Sequence, residues 1–129
     1  MDQSAKIPED LFYTESHEWV RKEDDGTVTI GITDYAQSSL GDIVHLELPK
    51  VGAVLEANQD AAVVESVKAA SDIYSPVGGE VIAVNTELAG SPEQVNSDAY
   101  AAWLFKIRPD NAADLQQLLS PAAYAKESR

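Results

Sequence analysis

Lys68 stands in the string Glu65-Ser66-Val67-Lys68-Ala69-Ala70-Ser71-Asp72, between two copies of the pattern Pro-x-x-Gly-x-Val-[Leu/Ile]. The first copy runs Pro49-Lys50-Val51-Gly52-Ala53-Val54-Leu55 and the second Pro76-Val77-Gly78-Gly79-Glu80-Val81-Ile82. A lysine on a turn between two similar β units can be presented to a modifying enzyme as an amine nucleophile. The chemistry on offer is amide formation, which turns the side chain into an attachment point. The competing use of any such lysine is a solvated surface charge.

Other reactive constellations are thin. His17 and His45 are the only histidines, and both lie in strand-like patterns. With no His-Glu-x-x-His helix and no acidic run at calcium-loop spacing, no metal ligand set is expected. The chain has no cysteine, which removes disulfides, thiolate metal sites and thiol catalysis, so any sulfur redox chemistry must be imported. Gly78-Gly79 follows a proline turn and leads into a strand, whereas a phosphate-cradling loop leads into a helix. No serine nucleophile sits on a strand-to-helix elbow. No catalytic residue is assigned, and a carrier or binding module is favoured over an enzyme.

Composition sets the frame. With 129 residues and 44% apolar content, the chain reads as one domain over residues 1–129, burying about two-thirds of its unfolded surface. Nine basic against 22 acidic side chains give a net charge of −13. That field repels nucleic acid and anionic lipid and favours partners with basic docking surfaces. No apolar run approaches the roughly 20 residues of a membrane span. The start carries neither a signal-peptide pattern nor an Arg-rich transit segment, so a cytoplasmic bacterial protein is expected, as a monomer.

The elements that must position Lys68 are mostly strands. Asp24-Asp25-Gly26 links His17–Arg21 to Thr27–Ile32 as a hairpin. Asp34 with Gln37 three residues on opens a short helix that Leu40-Gly41 closes. Ile43–Leu48 alternates as a strand ended by Pro49. Ser91-Pro92-Glu93-Gln94 specifies a second helix start with Ser91 as cap, and Trp103–Ile107 is the last strand. A helical C-terminal segment follows over about 110–126, restarting at Ser120-Pro121. Short strands, frequent turns and no long crossover helices predict an antiparallel β sandwich or flattened barrel.

Five strings in order resemble the glycine cleavage system H proteins, lipoyl carriers. They are Ser16–Val20, Gly31–Gln37, Leu40–Val44, Glu65–Pro76 and Val95-Asn96. The resemblance runs almost end to end. It implies a mostly β, lipoyl-domain-like barrel-sandwich hybrid with short helices and a C-terminal helical cap. It also implies lipoate in amide linkage on Lys68, with Glu65 as a recognition acid for the lipoate ligase or lipoyltransferase. The implied partners are a pyridoxal-phosphate-dependent glycine decarboxylase, a tetrahydrofolate-dependent aminomethyltransferase and a dihydrolipoamide dehydrogenase. The first loads an aminomethyl group on the arm, the second unloads it and the third reoxidises the dithiol.

In such proteins the arm folds into a surface cleft, and the residues here that match its lining are Ser16, Glu18 and Asp72. Their carboxylates would pair with the aminomethyl ammonium and the serine would add a hydrogen bond. The chain departs from some family members at Ser39, where they carry a cleft histidine, and at Ala102, where many carry glycine. Biotinyl domains share the repeated β architecture but place Met on both sides of the lysine. Here the neighbours are Val67 and Ala69, which favours lipoate. A lipoyl relay serving 2-oxo acid dehydrogenase complexes, and an unmodified binding module that keeps only the fold, are the other readings.

Overall fold

A computed structural model describes residues 7–127 of the chain. Its strands are β1 (Phe12–Tyr13), β2 (Glu18–Lys22), β3 (Val28–Ile32), β4 (Ile43–Glu47), β5 (Val54–Leu55), β6 (Asp60–Ser66), β7 (Ala70–Tyr74), β8 (Gly79–Val84) and β9 (Phe105–Pro109). Short helices α1 (Asp34–Leu40), α2 (Thr86–Ala89) and α3 (Gln94–Ser97) interrupt them. A 3₁₀ helix (Ala112–Gln117) and α4 (Pro121–Glu127) complete the described chain.

All strand pairs are antiparallel. One sheet has the order β1-β2-β3-β9-β8-β5 and the other β4-β6-β7. The two form an open sandwich and no closed barrel, which resolves the sandwich-or-barrel expectation. Between them lies an apolar core that includes Ile30, Ile32, Val64, Ile73, Val81, Leu104, Phe105 and Ile107. A second cluster of Leu11, Tyr13, Trp19 and Tyr124 packs the C-terminal helix against the first strands. Trp19 is fully buried, and its indole N–H donates to the Ala99 carbonyl at 3.0 Å, so the ring costs no unpaired donor.

The repeated pattern produces one continuous ribbon. Leu55 pairs with Gly79, Asp60 with Tyr74, and Glu65 with Ala70. Between these pairs Asn58 N–H donates to Ser75 C=O at 2.7 Å and Ser75 N–H to Gln59 C=O at 2.8 Å. The ladder therefore runs from one sheet into the other, turning at Val67-Lys68 with one register shift between Asp60 and Ala62. The two copies also mirror each other across their own pairing: Val54 opposes Glu80, and Val81 N–H donates to Ala53 C=O at 2.8 Å. Burial breaks the symmetry, since Val54 is 72% exposed on an edge strand while its counterpart Val81 is fully buried.

Several local expectations shift. The hairpin of β2 and β3 forms as the Asp-Asp-Gly turn predicts, with Trp19 opposite Gly31. The cap of α1 is Thr33, not Asp34. Thr33 has the extended backbone of a cap, and its hydroxyl accepts the Ala36 N–H at 3.2 Å, while Asp34 sits in the first turn and accepts from the Gln37 side chain. Ser91 makes no side-chain cap. Its carbonyl accepts Gln94 N–H across a turn, and α3 begins only at Gln94.

The last strand starts two residues later than expected, at Phe105, although Leu104 N–H already bonds to Ile30 C=O. The C-terminal segment restarts at Ser120-Pro121, and what differs is its first run, which is a 3₁₀ helix. After the 3₁₀ helix, Leu119 pairs with Tyr13 through two backbone bonds of 2.9 and 2.7 Å, and Pro121 then opens α4. The residue before a proline is disfavoured in helical geometry, which is why the break falls there.

Gly79 shows what the ribbon requires of its turns. Its φ is +156°, and an added Cβ would lie 2.2 Å from the Arg108 carbonyl oxygen and 2.8 Å from Ile107 Cγ2. The obstruction is backbone, which cannot swing aside. Gly79→Ala is expected to lower stability by about 3 kcal/mol, read as a fall in the urea midpoint at constant m. A loss under about 1 kcal/mol would show that the two strands separate cheaply.

Candidate functional site

Lys68 is exposed at the tip of the hairpin between β6 and β7. Ser66, 9% exposed, closes that tip. Its hydroxyl oxygen accepts the N–H groups of Lys68 at 3.3 Å and Ala69 at 3.1 Å, and its own N–H donates to Ala69 C=O at 2.7 Å. Val67, 71% exposed, points into solvent, yet its N–H donates to Asp42 C=O at 3.1 Å. The tip is thus ordered at the backbone while both central side chains stay free.

Asp42 is held in turn. Gly41 ends α1 with φ +85° and donates to Gln37 C=O, a left-handed stop suited to glycine. Asn96 on α3 then spans the joint with α1 and β4. Its amide donates to Gly41 C=O and to Gln37 Oε1, both at 2.9 Å, and its oxygen accepts Ile43 N–H at 2.9 Å. Asn96 was visible in the Val95-Asn96 string, but no spacing rule links it to a lysine 28 positions earlier. Lys68 leans over this joint: a methyl group at Gly41 would meet its Cε at 3.8 Å.

The remaining expected site residues divide. Glu18 is 1% exposed. One carboxylate oxygen accepts from the hydroxyls of Thr14 and Ser16, the latter at 2.7 Å, and the other accepts Tyr74 N–H at 3.2 Å. Glu18 therefore ties β2 of one sheet to β7 of the other. Burial pushes its pKa up despite these donors, which pull it down. Ser16 lines a hollow of about 350 Å³ with Thr14, Asn58, Pro76, Gln117 and Leu118.

Asp72 lies elsewhere, in a shallow hollow with Glu47, Asp60 and Val63. So Ser16 and Glu18 are in direct contact, whereas Asp72 shares neither hollow nor hydrogen bond with them. Glu65 pairs with His45 across β4 and β6 and with Ala70 across β6 and β7. Ser39 is exposed on α1, and Ala102 is buried at 6% exposure.

Beside Ser16, His17 has φ +72°. Its Nδ1 lies 2.7 Å from the Tyr124 hydroxyl, which lies 2.8 Å from Thr33 Oγ1. Burial lowers the His17 pKa and pushes Tyr124 up to about 12, so both groups are neutral near pH 7. This contact bolts α4 over the loop that carries Ser16.

Comparisons with known proteins agree across the chain. A family profile described as "Glycine cleavage H-protein" matches residues 11–129. A "Glycine cleavage system H protein" of Azoarcus sp. (strain BH72) is 62% identical over 123 residues, covering 95% of this chain and 97% of its own. The "Glycine cleavage system H protein 2" of Pseudomonas aeruginosa is 59% identical over 120 residues, covering 93% of each. A crystal structure of a glycine cleavage system H protein from Mycobacterium marinum superposes with a TM-score of 0.85 at 36% identity. It covers 94% of this chain and 98% of that one.

Two outcomes follow from the polar ties. Asn96→Ala removes three hydrogen bonds and is expected to cost about 2–3 kcal/mol, with faster amide exchange at Val67. Unchanged Val67 exchange would break the link from Asn96 to the lysine turn. For Glu18 the folded pKa lies above its ordinary value, so the folded state holds the proton more tightly. Stability is then greatest below the ordinary pKa and falls as pH rises through the folded one. Glu18→Gln should flatten the fall in stability that begins above the ordinary glutamate range, read in urea midpoints measured across pH. An equal slope in both proteins would remove Glu18 as its source.

Proposed function

The chain belongs to the glycine cleavage H-protein family, and on that premise we propose that Lys68 carries lipoate and that the protein is a carrier, not a catalyst. The observation that supports this most directly is the hairpin tip: an exposed lysine on a backbone held by Ser66 and Asp42. An acylating enzyme needs the amine accessible and the flanking chain regular. The residues present fit the group, because amide formation removes one charge from an exposed side chain and disturbs no pairing. Bound lipoate supplies thiol–disulfide chemistry that a cysteine-free chain lacks.

In this reading the protein receives an aminomethyl group from the glycine decarboxylase and delivers it to the tetrahydrofolate-dependent aminomethyltransferase. Dihydrolipoamide dehydrogenase then restores the disulfide. Tethering raises the arm's effective concentration at each docked enzyme, and the −13 charge steers the carrier toward basic docking surfaces. Glu65, at the base of the hairpin, serves recognition by the lipoate ligase or lipoyltransferase. Ser16 and Glu18 form one polar station for the folded-back arm, with Glu18 fixing the loop that presents the Ser16 hydroxyl. Asp72 forms a second station on the outer face of the three-stranded sheet. A cytoplasmic location belongs to the same proposal and is supported by the bacterial relatives.

Intact mass after incubation with a lipoate ligase, lipoate and ATP tests the assignment. One lipoyl increment is expected on the unaltered chain and none on Lys68→Ala, with circular dichroism confirming that the variant folds. No increment, or one that survives in Lys68→Ala, would overturn it. Glycine–bicarbonate exchange with added decarboxylase then separates a carrier of this system from a relay for other complexes.

A further inference from the structure

The outer face of the three-stranded sheet collects ligand atoms that no sequence spacing connects. His45 and Glu47 alternate along β4, and Glu65 is the direct cross-strand partner of His45 on β6. Their neighbours Leu46 and Val64 are buried in the core, so the pleat turns these three side chains to the opposite, solvent side. A register irregularity between Ile43 and His45 leaves Val44 and His45 both exposed, and from His45 onward the strand alternates regularly. One donor atom from each of His45, Glu47 and Glu65 lies within 4.8 Å of the others.

We propose that His45, Glu47 and Glu65 form a surface site for a borderline divalent cation, of which Zn²⁺ is the representative. The donor set decides the class: an imidazole nitrogen with two carboxylates suits zinc and its transition-metal neighbours, whereas calcium and magnesium take oxygen shells. Around a tetrahedral ion such donors stand roughly 3.4 Å apart. His45 Nε2 and Glu47 Oε2 are already at 3.8 Å, and side chains that are 55% and 62% exposed close the remainder by rotation.

That 3.8 Å is too long for a hydrogen bond, so neither side chain is committed to the other. Among the described residues none donates a hydrogen bond to the Glu47 or Glu65 side chain. Two carboxylates crowded on one sheet face repel each other, and a dication removes that repulsion. The −13 charge of the chain concentrates cations at its surface. Three protein ligands leave a coordination position open to water, and Glu65 places the ion at the base of the hairpin that displays Lys68. The inference concerns the unmodified protein and does not depend on lipoate at Lys68.

The test is calorimetric titration of Zn²⁺ alone into the chelator-treated, unmodified full chain near neutral pH, paired with the imidazole NMR signals of the two histidines. One Zn²⁺ per chain is expected, with a shift of the His45 ring resonances and none at His17. His45→Ala and Glu65→Gln should each weaken binding more than about tenfold. Since both positions are solvent-accessible, thermal melts should match the unaltered chain. No saturable binding overturns the proposal. So does binding that persists unchanged in His45→Ala, which would place the ion at the chain terminus or on scattered carboxylates.

Discussion

The display of Lys68 rests on one backbone hydrogen bond, Val67 N–H to Asp42 C=O at 3.1 Å. An exposed hairpin tip ordinarily belongs to the least stable part of a fold. Ser66 closes this one on itself, but closure alone would leave it free to swing as a unit. The bond to Asp42 fixes it to the joint between α1 and β4. That joint borrows its rigidity from Asn96, whose neighbour Val95 is fully buried in the core. Each link contributes on the order of 1 kcal/mol net. Together they carry order from the interior to a side chain that must itself remain in water.

A second set of polar ties governs how the sheets meet. The Glu18 carboxylate has no basic partner among the atoms it contacts; it is satisfied by two hydroxyls and one backbone N–H. Because Tyr74 belongs to the opposite sheet, the same carboxylate sets both the Ser16 loop and the root of the lysine hairpin. On its other flank the loop is pinned by His17 against Tyr124, which stacks on Tyr13 with ring centroids 4.7 Å apart. The C-terminal helix is therefore part of the architecture of the Ser16 hollow. A buried carboxylate with three donors costs desolvation but specifies geometry, and two sheets that share few backbone bonds need such a specifier.

How much of this was legible in the sequence depended on range. The hairpin of β2 and β3, the strand after Asp42 and the turn around Lys68 rest on alternation, glycine and proline, all local signals, and they appear where those signals put them. The Thr33 cap was missed because Asp34 and Thr33 are both good caps, and only the backbone angles decide between them. The break at Ser120-Pro121 was legible from its proline, whereas the pairing of Leu119 with Tyr13, across more than a hundred residues, was not. Lys68 and Glu65 were legible as a motif, and Ser16 and Glu18 as a near pair. What the strings hid was direction: Asp72 shares a motif with Lys68 but faces a different hollow from Ser16. His45 and Glu65 likewise looked unrelated until register set them side by side.

The internal repeat explains why the lysine stands where it does. Two similar units that pair antiparallel force the chain between them to run out and return. The turning point of such a ribbon is the midpoint of every pair along it. The pairs Leu55–Gly79 and Asp60–Tyr74 centre on Val67, and after a register shift the pair Glu65–Ala70 centres between Val67 and Lys68. A residue at that centre is as far from the repeat pairing as the ribbon allows, and its side chain meets no partner across the ladder. Exposure of Lys68 is thus a consequence of symmetry rather than of any feature of lysine. The chain then needs only to hold the tip still. Ser66 and Asp42 do that with hydrogen bonds, and the remaining surface is left free for contacts with other molecules.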